Sequence, residues 1–187
     1  MSDAYKIHKQ EACYFLTLQI VYWIDIFSRK RYRDIIIESL NFCKQEKGLN
    51  IYAYVIMSNH VHLLVSAEQK NLSGVIGDMK KYTSRKMIAS ILNEPESRRE
   101  WMLKLFEHAT SHHKRNEHYQ LWTHENHAEE IFSPAFTLQR IKYIHDNPVR
   151  AGIVENEDDY LYSSARDYSG KQGLVKVDVL NLHLMMS

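Results

Sequence analysis

Residues 55–64, Val-Ile-Met-Ser-Asn-His-Val-His-Leu-Leu, decide the fold. An apolar run ends at Met57, Ser58-Asn59 interrupts it, and a second run opens with His60-Val61-His62. That is the pattern of two strands joined by a tight turn. Side chains alternate along a strand, so His60 and His62 share one face while Val61 and Leu63 point to the other. Two such imidazoles either sit half-buried with hydrogen-bond partners or grip a divalent ion, for which neutral imidazole is the commonest side-chain ligand. The three residues alone leave both readings open.

Working outward, residues 14–22 are rich in aromatic and β-branched side chains and read as a first strand. Ser28 is an N-cap candidate for a helix to Lys47, with Tyr32, Ile36, Leu40 and Cys43 at helical spacing and Gly48 as its stop. Residues 51–57 and 60–66 are the second and third strands. Residues 72–92 form a second helix with Leu72, Ile76, Met79, Met87 and Ile91 on its inner stripe and Lys81 and Arg85 opposite. A charged connection follows, with a helical turn around 101–106, and residues 119–123 supply a fourth strand. A third helix starts at Ser133 or Pro134 and runs through Phe136, Leu138, Ile141 and Tyr143. The order predicts an α+β fold: a ferredoxin-like antiparallel sheet (βαββαβ) with the third strand central, an added helix carrying Tyr143, and a C-terminal extension. Residues 1–168 form one domain on this reading, and 169–187 a tail or an extra strand.

Composition narrows the function. The chain has 187 residues, is 44% hydrophobic, and is long enough for one sizeable core. The apolar run 13–27 is too short to span a membrane and contains Gln19 and Asp25, and no secretory pattern opens the chain. Two cysteines without a C-x-x-C spacing indicate neither a disulfide framework nor a cysteine zinc site and fit a reduced, cytoplasmic setting. The net charge of +1 conceals an asymmetry: 18 basic and 13 acidic side chains (+5) up to residue 118, then 6 and 10 (−4). The basic residues cluster at 29–33, at 80–86 and at 114–115; such clusters are solvated faces or phosphate contacts. The irregular histidine spacing from 108 to 127 reads as solvated loop.

A second constellation lies at 143–154, Tyr-Ile-His-Asp-Asn-Pro-Val-Arg-Ala-Gly-Ile-Val. If the helix persists, Tyr143 and Asn147 share a face, about 6 Å apart along the axis. Asn147 before Pro148 also has the look of an N-cap for a new short helix ended by Gly152, and on the residues alone that capping role is the stronger reading. A tyrosine on an amphipathic helix is likewise an ordinary core residue.

The two segments, Met57–Leu64 and Tyr143–Val154, in this order and separated by further elements, resemble the HUH single-tyrosine transposases, and within them the REP-associated tyrosine transposases. Asp-Tyr-Leu-Tyr-Ser-Ser-Ala (159–165) and Met-Lys-Lys-Tyr-Thr-Ser-Arg (79–85) are similar to that branch too, so the resemblance covers residues 10–168. It implies that His60 and His62 bind a divalent metal (Mg2+ or Mn2+) and that Tyr143 is the nucleophile. It implies too that Asn147, where insertion-sequence relatives often have glutamine, completes the metal site, with Asp146, Glu125 or water as substitutes. Ser58 stands where many relatives have proline.

An ordinary phenol, with a pKa of about 10, is protonated at neutral pH, and positive charge beside it favours the phenolate. The resemblance implies nicking and strand transfer on single-stranded or hairpin DNA through a 5′-phosphotyrosine, by a cytoplasmic, nucleoid-associated enzyme. Lys81 and Arg85, with Lys80 and Tyr82 beside them, and Arg150 are the expected DNA contacts. Two other functions fit the same residues: a catalytically silent module that binds DNA hairpins, and a metal-dependent phosphoesterase that uses water. Relatives include monomers and helix-swapped homodimers, and both states stay open.

Overall fold

The computed structural model describes residues 6–111 and 118–181. The basic pair Lys114-Arg115 and the last residues of the C-terminal extension lie outside them. Strands β1 (Tyr14–Gln19), β2 (Leu49–Ile56), β3 (His60–Ala67) and β4 (Glu129–Glu130) form one antiparallel sheet in the order β2-β3-β1-β4. That is the ferredoxin-like arrangement, with β3 central as expected. The β2–β3 connection is the two-residue turn at Ser58-Asn59, closed by the Met57 amide donating to the His60 carbonyl at 2.9 Å.

Helices α1 (Lys30–Lys47) and α2 (Leu72–Asn93) pack against each other on one face of this sheet. The inner stripe of α2 is buried as its spacing required, from Leu72 to Ile91. Gly48 ends α1 in the left-handed region (φ 63°), its amide bonded to the Cys43 carbonyl. Ser28, however, is not the cap of α1. Arg29 occupies that position without a side-chain cap bond, and Ser28 belongs to a preceding one-turn 3-10 helix, where its hydroxyl accepts from Arg98.

The 101–106 turn proves to be a full helix, α3 (Arg99–Thr110), with Met102, Phe106 and Ala109 buried at the spacing a helix needs. Its entry is organised by Glu96, whose side chain is wholly enclosed. Glu96 accepts from the Arg98 amide (3.1 Å), the Tyr32 hydroxyl (3.1 Å) and the Arg31 guanidinium (2.8 Å). Burial raises its pKa, but that amide, the Tyr32 hydroxyl and the nearby guanidiniums of Arg29 and Arg98 outweigh burial and hold it below the usual carboxylate range. The 29–33 basic cluster is therefore paired within the chain: Arg29 and Arg31 on Glu96, Lys30 with Asp34 at the surface, and Arg33 over the Tyr162 ring at 4.3 Å.

The expected fourth strand at 119–123 is corrected. There only Trp122 forms a bridge, to Ile20 just past the end of β1, and the laddered pairs are Tyr14–Glu130 and Phe15–Glu129. Between them the chain follows the β1 edge loosely, with the Thr17 amide on the Asn126 carbonyl and the Thr123 amide on the Gln19 carbonyl. The opposite edge, β2, is covered by residues 160–168: Ser163 bridges Val55, the Ile56 amide donates to the Tyr162 carbonyl, and the Tyr160 hydroxyl donates to the Ile56 carbonyl. An open strand edge invites association with other chains, and this cover removes it. Farther on, Val175 is buried and the Asp178 amide donates to the Ile51 carbonyl.

Candidate active site

Helix α4 (Pro134–Arg150) crosses the sheet face opposite α1 and α2, against β2 and β3. It starts as its sequence required: the Ser133 hydroxyl accepts from the Phe136 amide at 3.2 Å, and Pro134 takes the first turn. It does not stop at Asn147. The helix runs on through Pro148 to Arg150, so the capping reading of Asn147 fails. The Asn147 amide instead donates to the Tyr143 carbonyl at 2.8 Å, one turn back. That side-chain bond lies beside the point where Pro148 withdraws a backbone donor.

Strand β3 sends His60 and His62 toward α4 while Val61 and Leu63 are fully buried on the other face. The His60 and His62 Nε2 atoms are 3.1 Å apart. Each ring is held from behind. His60 Nδ1 meets Asn59 Oδ1 at 2.7 Å, and Asn59 Nδ2 donates to the Trp23 carbonyl at 3.3 Å, which fixes which way that amide faces. His62 Nδ1 meets the Thr17 hydroxyl at 2.9 Å, Thr17 lying directly opposite on β1. The Asn59 oxygen fixes the proton on His60 Nδ1 and leaves its Nε2 as a lone pair. In the His62 tautomer that donates Nδ1–H to Thr17, both Nε2 lone pairs face one point, ready for a cation; in the other, His62 Nε2–H donates to His60 Nε2. Burial lowers the pKa of both rings, that of His62 to about 3 with further contributions from His60, Arg140 and Arg150. Both are therefore neutral, the ligating form, at physiological pH.

Tyr143 comes to this pair from its own chain. Its ring lies 5.3 Å from that of His62 and 5.8 Å, edge-on, from Phe15, which itself stacks on His62 at 5.2 Å. Arg150 stands over the phenol ring at 5.0 Å and Arg140 at 6.0 Å. Arg140 is also paired with Glu129 of β4 and packed on Phe15 and Phe136. Behind Tyr143, His145 fastens the helix: it is buried, its Nε2 is 2.9 Å from the Ser164 hydroxyl, and that hydroxyl accepts from the Tyr54 amide of β2. Burial lowers the His145 pKa to about 4, so it is held as a neutral hydrogen-bonding group.

The imidazole pair fits a divalent ion. Two cis nitrogens at bond lengths of about 2.1 Å and a right angle are separated by about 3.0 Å, close to the spacing found. Among the described residues, no cluster of three or more His, Cys, Asp or Glu side chains is assembled. Asp146 and Glu125 therefore do not complete the pair; Asp146 meets Glu157 and Glu125 lies near His127. Asn147, with its amide nitrogen engaged, retains only Oδ1 as a ligand atom.

The expected DNA contacts divide. Arg150 is at the site. Lys81, Tyr82 and Arg85 are exposed on the far side of the sheet, where they line a cleft of about 640 Å³ with Phe42 of α1. Lys80 turns inward: its ammonium donates to the Thr123 carbonyl and to Asn126 Oδ1, both at 2.7 Å, and burial lowers its pKa to about 8. That removes Lys80 from the exposed set and makes it a tie between α2 and the β1 edge. Residues that sequence reading missed are Thr17, Phe15 and Arg140. Arg140, three residues before Tyr143, carried a helical-spacing signal; Thr17 and Phe15 depend on strand register, which no local pattern reports.

Residues 11–109 match the family model described as IS200-like transposase. The match spans just over half of the chain, includes the histidine pair and ends before α4. A solved structure of a REP-associated tyrosine transposase bound to a REP hairpin superposes with a TM-score of 0.65 at 17% identity, covering 97% of this chain and 94% of that one. No curated protein matches. With the fold shared along nearly its whole length and the family match over the strands that carry the histidines, this chain belongs to the IS200-like transposases.

Proposed function

We propose that the protein nicks and rejoins single-stranded DNA, alone or beside a hairpin, through a covalent bond between Tyr143 and a 5′ phosphate. The observation that carries this is the convergence, within one chain, of the Tyr143 ring on His62 under two guanidiniums. A divalent ion (Mg2+ or Mn2+) held by His60 and His62, with Asn147 as candidate third ligand, would polarise the phosphodiester and offset its charge. Arg140 and Arg150 supply positive charge where an anionic phosphate must approach a phenol. As the Tyr143 oxygen bonds phosphorus, its proton passes to solvent. The bond from phosphorus to the 3′ oxygen breaks, and that oxygen takes up a proton and leaves as a hydroxyl. The phosphotyrosyl ester keeps much of the diester's energy, so a second 3′ hydroxyl reverses the step and joins strands.

Residues up to 168 carry the site on this reading, and the extension after them braces the β2 edge. Among the described residues no helix is long and apolar enough to cross a membrane; a DNA substrate puts the protein's work in the cytoplasm, at the nucleoid. The test is incubation with manganese and a hairpin-bearing single strand, followed by a denaturing gel. We expect a covalent adduct that Tyr143→Phe abolishes while strand binding persists. Hydrolysis without an adduct would mean a phosphoesterase using water, and binding without either a silent module.

A further inference from the structure

We propose that Trp23 is a stacking platform for a nucleobase next to the phosphodiester held at the histidine pair; this rests on the DNA-strand reading above. After β1 the chain passes through Tyr22 (φ 54°) and Trp23 (φ 57°), two successive residues with side chains in the left-handed region. That backbone is unfavourable for L-amino acids, whose Cβ crowds the following carbonyl oxygen. The loop is nevertheless pinned there: the Trp23 amide donates to the Ile20 carbonyl, the Asn59 amide donates to the Trp23 carbonyl, and the Tyr22 hydroxyl meets His108 Nδ1 at 2.8 Å.

The turn buries Val21 and Ile24 on either side of it, but neither left-handed residue is packed itself, Tyr22 being exposed as well as Trp23. Trp23 is 61% exposed, whereas Trp122 is 5% exposed with its indole N–H donated to Thr83. What the loop achieves is a position: the indole stands edge-on to the His60 ring, 6.4 Å between centroids. Asn59 joins the two, one end of its amide on the Trp23 carbonyl and the other on His60 Nδ1. An exposed flat apolar ring beside the proposed phosphodiester site suits one partner above others. A nucleobase is the apolar group that arrives tethered to the phosphate, and every base offers a π-face.

The test uses single strands carrying one abasic position at a time, with Tyr143→Phe in every protein so that nothing is cut, and manganese present. Replacing Trp23 by Ala weakens binding about 5- to 100-fold, the effect of losing one base stack, while Trp23→Phe retains most of the affinity. One abasic position costs the Trp23 protein a similar factor and costs Trp23→Ala nothing further, a coupling that a purely structural tryptophan would not produce. The dependence of affinity on salt stays the same, because no phosphate contact is lost. Equal binding by Trp23 and Trp23→Ala, or identical abasic profiles for the two, would overturn the proposal. A Trp23 protein that binds no strand at all would instead overturn the DNA reading on which it rests.

Discussion

Thr17 shows what a single residue contributes to the site and why the sequence hid it. The H-x-H pattern exposes His60 and His62 to any reader, because strand alternation is local. The group that aims His62 sits 45 positions away, opposite it across the β1–β3 ladder. Register between strands distant in sequence is set by the whole sheet, so nothing near Thr17 announces its role. Its hydroxyl, 2.9 Å from His62 Nδ1, orients that ring and, by accepting Nδ1–H, selects the tautomer whose Nε2 is a ligand. Thr17→Val preserves the shape and removes the oxygen. We expect manganese affinity, measured by titration calorimetry, to fall about 10- to 100-fold with the fold intact. Unchanged affinity would mean that the strand alone orients His62.

At the scale of elements, α1 and α2 are legible because each shows a continuous helical stripe, and α4 because of its Ser-Pro start. The fourth strand is not. Tyr119–Thr123 had strand composition, yet the ladder formed at Glu129-Glu130, residues with poor strand propensity whose pairing is imposed by the β1 edge. The end of α4 misread for a related reason: an Asn-Pro pair is a strong local boundary signal, and anchorage of the helix through His145 and Ser164 to β2 overrides it. Helix α2 poses a different question, since Lys81, Tyr82 and Arg85 lie across the sheet from Tyr143. We expect the duplex stem of a hairpin, the bulkier part of such a substrate, to be what reaches them from the site. Removing Lys81 and Arg85 together (both→Ala) should reduce the slope of log affinity against log salt by about 1–2, at roughly 0.9 per phosphate contact, for a hairpin substrate only. A bare single strand should keep its slope. Equal reductions on both substrates would put the single strand itself on α2, and no change on either would leave that surface without DNA.

For the molecule as a whole, the decisive property is that one chain brings Tyr143, Arg140 and Arg150 to its own histidine pair. The family resemblance allowed two architectures, one with the tyrosine helix exchanged between subunits. Here α4 packs on its own β2 and β3, and two further ties hold it in place: His145 on Ser164, which bonds the Tyr54 amide, and Arg140 on Glu129 of β4. Exchanging the helix would break these contacts within the chain and rebuild them between subunits. Mixing experiments read this directly. A Tyr143→Phe protein keeps its histidines and lacks the nucleophile, and a His60→Ala, His62→Ala protein has the reverse defect. If the site forms within one chain, neither protein nor their mixture yields a covalent adduct, and the rate of adduct formation per molecule of intact protein does not change on dilution. If helices exchange, the mixture regains activity, because half of the sites in each mixed dimer combine an intact tyrosine with intact histidines. Adduct formation in the mixture would therefore overturn the single-chain site while leaving the roles of Tyr143, His60 and His62 untouched.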